Sequence, residues 1–211
     1  YSSVDERSAA YIACGLAEES GEPVVICCTG ATASRNYMAG LTEAYYRKLP
    51  IIAVTATRPL AWIGQNRGQL IDRSTIPNDV AVKSVHIPIV QNKQDEWECN
   101  LKINDVLLET RRNGGGPVHI NLTTSYSLDF SVQKLPKERM IRRFYRNSVL
   151  PIIPDGNIVI FVGAHSVWSE KLQNTVDSFC ERYNAVVLYD QTSNYSGKYG
   201  VPCGMFNITG F

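Results

Sequence analysis

The sequence predicts an α/β fold with a mostly parallel sheet flanked by helices, and three observations carry that prediction. Short continuous apolar runs, "PVVICC", "IIAVTA" and "PVHINL", have the length and β-branched content of strands covered on both faces. Longer segments between them carry apolar residues at helical spacing. The connections are short and punctuated by Gly and Pro, which leaves room for little besides alternating strand and helix.

In chain order, a helix is expected from Asp5 to Glu19, closed by Gly21 and Pro23, and is followed by the strand "PVVICC". A second helix occupies "TASRNYMAGLTEAYYRK" and ends before Pro50. The strand "IIAVTA" stops near Pro59, and "VKSVHIPI" makes a weaker strand. The amphipathic segment "DEWECNLKINDVLLETRR" is a helix ended by Gly114, Gly115 and Gly116, and "PVHINL" is the next strand. Residues 1–125 are thus expected to form one α/β domain. From 126 to 154 the pattern dissolves into polar, proline-bearing text with the basic patch "KERMIRRFYR", expected as a linker. Residues 155–211 begin a second α/β domain, with strand "NIVIFVG", helix "SEKLQNTVDSFCERY" and strand "AVVLYD". Two strands and one helix are too little for a core, and the chain opens on what could be the tail of a strand, "YSSV", so it is expected to be truncated at both ends.

The composition is that of a globular protein: 211 residues, 44% hydrophobic, formal charge +1. A balance so near neutral, with no basic stripe, argues against a nucleic-acid partner. The apolar runs are strand-sized, so no membrane span is expected, and no signal peptide is read at the start. The six cysteines are scattered and include no CxxC pair. They are expected to be reduced and to act as small hydrophobes in a cytoplasmic protein, with no disulfide frame or zinc site.

Three stretches carry candidate chemistry. Ser3-Val4-Asp5-Glu6 fits a capping box, in which Ser3 and Glu6 exchange hydrogen bonds at the helix start. Glu6 is also placed to serve as a catalytic carboxylate, and spacing leaves both roles open. The small residues Ser8, Ala9, Ala10 and Ala13 behind it would let a ligand or another chain approach the helix. The turn "CTGATASRN" lies between a buried strand and a helix, where α/β sheets hold ligands. It is neither a Walker motif nor a GxGxxG loop. Finally, "TATRPLAWIGQNRGQLIDR" places Arg58 past a strand end and Arg67, Gln69, Asp72 and Arg73 in a loop. Those side chains are either substrate contacts or a solvated loop with an Arg–Asp pair. His86, His119 and His165 stand apart from one another and from acidic partners, so each is expected to be structural.

Taken together, the stretch from Asp5 to Pro59, closed by "GGPVHINL", resembles the pyrimidine-binding domain of thiamin-diphosphate enzymes. In the menaquinone-pathway carboligases of that family, an acidic-Glu-Arg-Ser helix start, a Thr-Ser-Gly-Thr-like turn and a Thr-Ala-Asp-Arg-Pro strand end occur in this order. Residues 155–200 are similar, more loosely, to the start of the family's central domain. The resemblance implies that Glu6 is the activating glutamate, hydrogen-bonded to the aminopyrimidine ring of thiamin diphosphate. It assigns the cofactor turn to Thr29, Gly30, Ala31 and Thr32, and a substrate-carboxylate contact to Arg58. A substrate-contacting Asn-Gln pair falls on Gly68-Gln69, so Gln69 matches and the Asn does not.

The family's first strand and helix, and its diphosphate domain with a Gly-Asp-Gly…Asn motif for Mg2+, have no counterpart in the sequence. No residue of this chain is therefore expected to bind metal. In the family the cofactor lies between domains of two subunits, which implies a homo-oligomer, a dimer or a dimer of dimers. The function implied is decarboxylation of a 2-oxo acid and transfer of the remaining fragment to an acceptor, with 2-oxoglutarate and isochorismate as the expected pair. An acetolactate synthase-like enzyme acting on pyruvate or another 2-oxo acid is the alternative. A non-catalytic α/β interaction module is the alternative of another class.

Overall fold

Helix α1 (Glu6–Ser20) starts where the Asp5 carboxylate accepts a hydrogen bond from the Ser8 amide at 2.7 Å, and ends at Gly21 in the left-handed conformation. These contacts belong to a computed structural model of the chain, which describes all residues except Leu128, Phe130, Pro154 and 204–211. The cap corrects one expectation. Ser3 and Glu6 do not form a capping box: the Ser3 hydroxyl donates to the Asp5 carbonyl at 2.9 Å, and Asp5 takes the cap position. An aspartate caps as well as a serine and adds negative charge at the positive end of the helix. Glu6 is thereby released from capping.

Contacts divide the chain into two units, Tyr1–Arg146 and Asn147–Phe211. In the first, strands β1 (Val24–Cys28), β2 (Ile51–Thr57), β3 (Lys83–Ile87) and β4 (Val118–Thr123) form a parallel sheet in the order β1-β2-β4-β3. Helices α2 (Thr32–Asn36) and α3 (Met38–Arg47) connect β1 to β2, and α4 (Lys93–Glu109) connects β3 to β4. The expected single helix from Thr32 is thus divided at Tyr37.

Alternation along β2 builds the three layers. Ile51 and Ala53 join Ala10, Ala13, Cys14 and Ala17 of α1 and Leu41 and Ala44 of α3 in one core. Ile52 and Val54 point the other way, toward Val118, Ile120 and the Cys99 and Val106 side chains of α4. Of the small residues of α1, Ala10 serves packing within the chain: a Cβ on Gly40 of α3 would lie 2.5 Å from its own. Strand β1, at the sheet edge, leaves Val25 and Cys27 exposed, so "PVVICC" is covered on one face where two were expected.

Residues in the stretch expected as a linker lie against α4. The Asn104 side chain donates to the Arg139 carbonyl at 2.9 Å and accepts from the Ile141 amide at 2.7 Å, and Arg143 pairs with Glu109 at 3.0 Å.

The second unit holds β5 (Ile158–Val162), α5 (Glu170–Tyr183), β6 (Ala185–Tyr189) and β7 (Gly200–Pro202), with a parallel sheet in the order β5-β6-β7. Cys180, Ala185, Val187 and Tyr195 form its core. The sequence reading lacked β7, a short strand whose Gly200 lets the backbone pack against the Tyr189 and Tyr195 rings. Among the described residues, no helix is long and apolar enough to cross a membrane.

Candidate active site

Parallel strands present their carboxyl ends, and the loops that follow them, on one side of the sheet. In the first unit that side gathers Thr29 after β1, Arg58 after β2 and Thr124 after β4. Beside it a groove of about 560 Å³ runs between α1 and the edge strand, lined by Glu6, Ala9, Ile12, Cys28, Thr29 and Tyr37 among others. Glu6 is half-buried, and its carboxylate accepts from the Asn36 side chain of α2 at 3.3 Å. Burial, foremost, pushes the Cys28 thiol up to about 11, with a smaller contribution from the Glu6 charge, so this wall of the groove is neutral at neutral pH. Tyr37 is raised for the same first reason, and its hydroxyl donates to the Cys27 carbonyl at 2.7 Å.

The turn after β1 is tightly determined. Gly30 has room for no side chain, because a Cβ there would lie 2.7 Å from the Gln69 carbonyl oxygen. The turn and the loop from Arg58 to Arg73 therefore touch through backbone. Ala31 is held at φ 53° and ψ −123°, a conformation that suits glycine. The Ser34 hydroxyl donates to the Ala31 carbonyl at 2.7 Å, and Thr32 opens α2 on the exposed side.

Of the sequence-predicted residues, Glu6 and Thr29 share the groove, and Gly30 meets Gln69 through the latter's carbonyl. Gln69 itself is exposed and adopts a positive φ of 58°. Arg58 stands at the same end of the sheet but faces β4: it donates to the Thr124 carbonyl at 3.0 Å and lies 5.3 Å from the Tyr126 ring. Arg67 covers the Trp62 ring at 4.1 Å. The expected Arg–Asp pair gives way to a different arrangement. Asp72 binds Ser74, while Arg73 is only 2% exposed.

Arg73 donates to the Asn121 side-chain oxygen (3.2 Å), the Ser34 hydroxyl (2.8 Å) and the Ala56 carbonyl (2.5 Å). No carboxylate is bonded to it among the described residues. Burial, above all, holds its guanidinium below the ordinary arginine value. Around it the sheet carries a polar ladder. His119 bonds Thr55 at 2.8 Å and Ser84 at 2.7 Å, and Asn121 bonds His86 at 3.2 Å. Burial, with smaller contributions from Arg73 and Arg35, pushes His119 down to about 4, so it is a neutral structural histidine. The Thr57 hydroxyl, next to Arg58, is buried without a hydrogen-bond partner among the described residues. Among the described residues no cluster of three His, Cys, Asp or Glu side chains is placed to hold a metal.

Sequence reasoning missed Asn36, Ser34 and the burial of Arg73. The available signal was the polar content of "TASRN", which suits a turn and equally suits a short helix facing a site.

Comparison with known proteins bears on the family of the chain. Residues 1–76 match the thiamine pyrophosphate enzyme N-terminal TPP binding domain. A 2-succinyl-5-enolpyruvyl-6-hydroxy-3-cyclohexene-1-carboxylate synthase from Bacteroides thetaiotaomicron is 45% identical over 145 residues, 68% of this chain and 26% of the relative. The synthase of the same name from Bacteroides fragilis is 41% identical over 159 residues, 75% of this chain and 29% of the relative. The solved structure of benzoylformate decarboxylase from Polynucleobacter necessarius matches with a TM-score of 0.49 and 17% identity, over 94% of this chain and 38% of that one. The chain spans about a quarter of the length of the curated relatives it matches. Through its first unit, the chain belongs to the thiamine pyrophosphate (thiamin diphosphate) enzymes.

Proposed function

We propose that the complete protein is a thiamin-diphosphate-dependent 2-oxo acid decarboxylase and carboligase of the 2-succinyl-5-enolpyruvyl-6-hydroxy-3-cyclohexene-1-carboxylate synthase type, with 2-oxoglutarate and isochorismate as substrates. The observation that carries this reading is the Glu6 carboxylate. It starts a helix yet does not cap it, and it stands half-buried in an apolar groove with one amide donor. An otherwise neutral groove with one carboxylate suits an aminopyrimidine ring, which is flat and apolar on its faces and hydrogen-bonds at its edge. Glu6 would accept a hydrogen bond from that ring and hold the proton it shares with it, in surroundings that strengthen the bond. The cofactor, when bound, supplies the electron sink for loss of carbon dioxide.

Thr29, Gly30, Ala31 and Thr32 form the cofactor turn in this reading, and Gly30 lets that turn close against the Gln69 carbonyl. Arg58 and Gln69 receive the substrate carboxylate, a role for which a planar guanidinium fork is suited. The diphosphate and Mg2+ are held by residues outside this chain, on another subunit of a homo-oligomer. Residues 1–125 are the pyrimidine-binding domain, 126–154 a linker and 155–211 the start of the central domain. A cytoplasmic location follows from the same reading.

The test is carbon dioxide release from 2-oxoglutarate by the complete protein with thiamin diphosphate and Mg2+, with and without isochorismate. Release that rises with isochorismate is expected. Turnover of pyruvate in place of 2-oxoglutarate would move the function to the acetolactate synthase-like alternative. Glu6→Gln should lower turnover by about 10²–10⁴-fold. The fold should be unaffected, because Asp5 and not Glu6 caps α1. Turnover within a few-fold of wild type would remove Glu6 from the mechanism.

A further inference from the structure

Arg73 raises a physical question that the proposed chemistry does not answer. A guanidinium is costly to remove from water, and buried arginines ordinarily face a carboxylate. This one spends its donors on three neutral acceptors from three different elements: Ser34 of α2, Ala56 of β2 and Asn121 of β4. Each link leads toward the site. Ser34 donates its own hydroxyl hydrogen bond to the carbonyl of Ala31, whose backbone is in a conformation that alanine adopts only under constraint. Ala56 lies two residues before Arg58 on the strand that delivers it. The loop bearing Arg73 is fastened a second time, by Arg35 of α2 donating to the Asp72 carbonyl at 3.0 Å. Its backbone rests on Gly30 through Gln69.

We propose that Arg73 is a positioning residue that holds the cofactor turn and the substrate arginine in fixed relation, acting on Ala31 through Ser34 and on Arg58 through the Ala56 carbonyl. The proposal rests on the functional reading above, since it gives the turn to the cofactor and Arg58 to the substrate. A fork of N–H groups is required for this role. A lysine ammonium at the same place has a single nitrogen, which cannot reach acceptors on three elements together. Geometry held by such contacts is set before the ligand arrives, which lowers the cost of binding it.

The two arms of the fork separate in experiment. In the complete protein, Ser34→Ala cuts the link to Ala31 and leaves the Ala56 link in place. It should raise the dissociation constant for thiamin diphosphate, measured by calorimetric titration in Mg2+, by about tenfold. The KM for the 2-oxo acid should stay within about twofold of wild type. Arg73→Lys should weaken both, cofactor affinity and 2-oxo acid KM each by about tenfold or more. If Arg73→Lys does not fold, the Ser34→Ala titration alone decides.

Ser34→Ala protein that is less stable but binds the cofactor as wild type does would overturn the proposal and leave Arg73 a structural residue. So would a parallel rise in cofactor dissociation constant and 2-oxo acid KM in Ser34→Ala, because the arms would then not be separate. Wild-type protein that binds no thiamin diphosphate would instead sink the functional reading, and this role with it.

Discussion

The two ends of the first unit's sheet are built from the same four strands by different means. At the amino ends, Ile51 and Val118 are fully buried among alanine, leucine and cysteine side chains of α1, α3 and α4. Those contacts stabilise through burial, are indifferent to direction and leave nothing to satisfy. Toward the carboxyl ends, the face of β2 that carried Ile51 and Ala53 carries Thr55 and Thr57, and β4 beside it carries Asn121 and Thr123, in a polar ladder that begins with His119 opposite Ala53. Burial is as complete there, but stability depends on particular donors meeting particular acceptors. The difference shows where the fold gives up the easiest packing. Polar groups that would be simpler to replace by valine are retained at the end where the turn, Arg58 and Arg73 converge.

The largest expected break in this comparison comes from pH. The folded-state value of His119 is about 4, below the 6.5 of the exposed residue, so the unfolded chain takes up the proton first as pH falls. His119 therefore contributes full stability above about pH 6.5, and that contribution is lost as pH falls toward 4. The whole change is about 3 kcal/mol, all of it in the polar ladder. Chemical denaturation between pH 7 and 4.5 should show this slope, and His119→Gln, which keeps a polar side chain but does not titrate, should flatten it. Equal slopes in the two proteins would mean that the imidazole is more open to water than its surroundings indicate.

A smaller effect sharpens the role of the turn. Gly30→Ser would place a Cβ 2.7 Å from the Gln69 carbonyl, a backbone atom that cannot swing aside, and should cost roughly 2 kcal/mol. Ala31→Gly should act in the opposite direction. It relieves the positive φ, at the expense of one buried methyl and a freer unfolded chain, for a net gain of about 0.5–1 kcal/mol. Thermal midpoints of the two variants should therefore move apart. Movement of both in the same direction would show that space, not backbone conformation, governs the turn.

Much of the fold was legible because the signal survives in short windows: β2 is a continuous apolar run of strand length, and α1 carries its alanines on one stripe. That β1 lies at the sheet edge was not legible, since an apolar run does not say how many neighbours its strand has. Strand β7 is three residues long and includes Gly200 and Pro202, so it has no pattern to read. At the site, the helix start was visible, but Ser3 and Asp5 are two caps at neighbouring positions and spacing cannot choose between them. Arg73 was visible only as a loop residue. A charge is expected in water, and its partners Ser34 and Asn121 lie 39 and 48 residues away, beyond the reach of any local pattern.

A pair of substitutions, the second with the smallest effect, tests the polar end against itself. Thr55 and Thr57 share a face of β2, both buried, and differ in one respect. The Thr55 hydroxyl meets His119 at 2.8 Å and Asn121 at 3.4 Å, whereas that of Thr57 has no partner among the described residues. Valine has nearly the shape of threonine without its hydroxyl. Thr55→Val should cost about 1–3 kcal/mol, because it strips a bond from a buried imidazole. Thr57→Val removes a group already unsatisfied and should leave stability unchanged or raise it by up to about 1 kcal/mol. If the unliganded protein gains from Thr57→Val while substrate KM rises, the hydroxyl is kept for a ligand beside Arg58. If it loses as much as Thr55→Val does, a bound water completes the ladder, and the polar end is as fully satisfied as the apolar one.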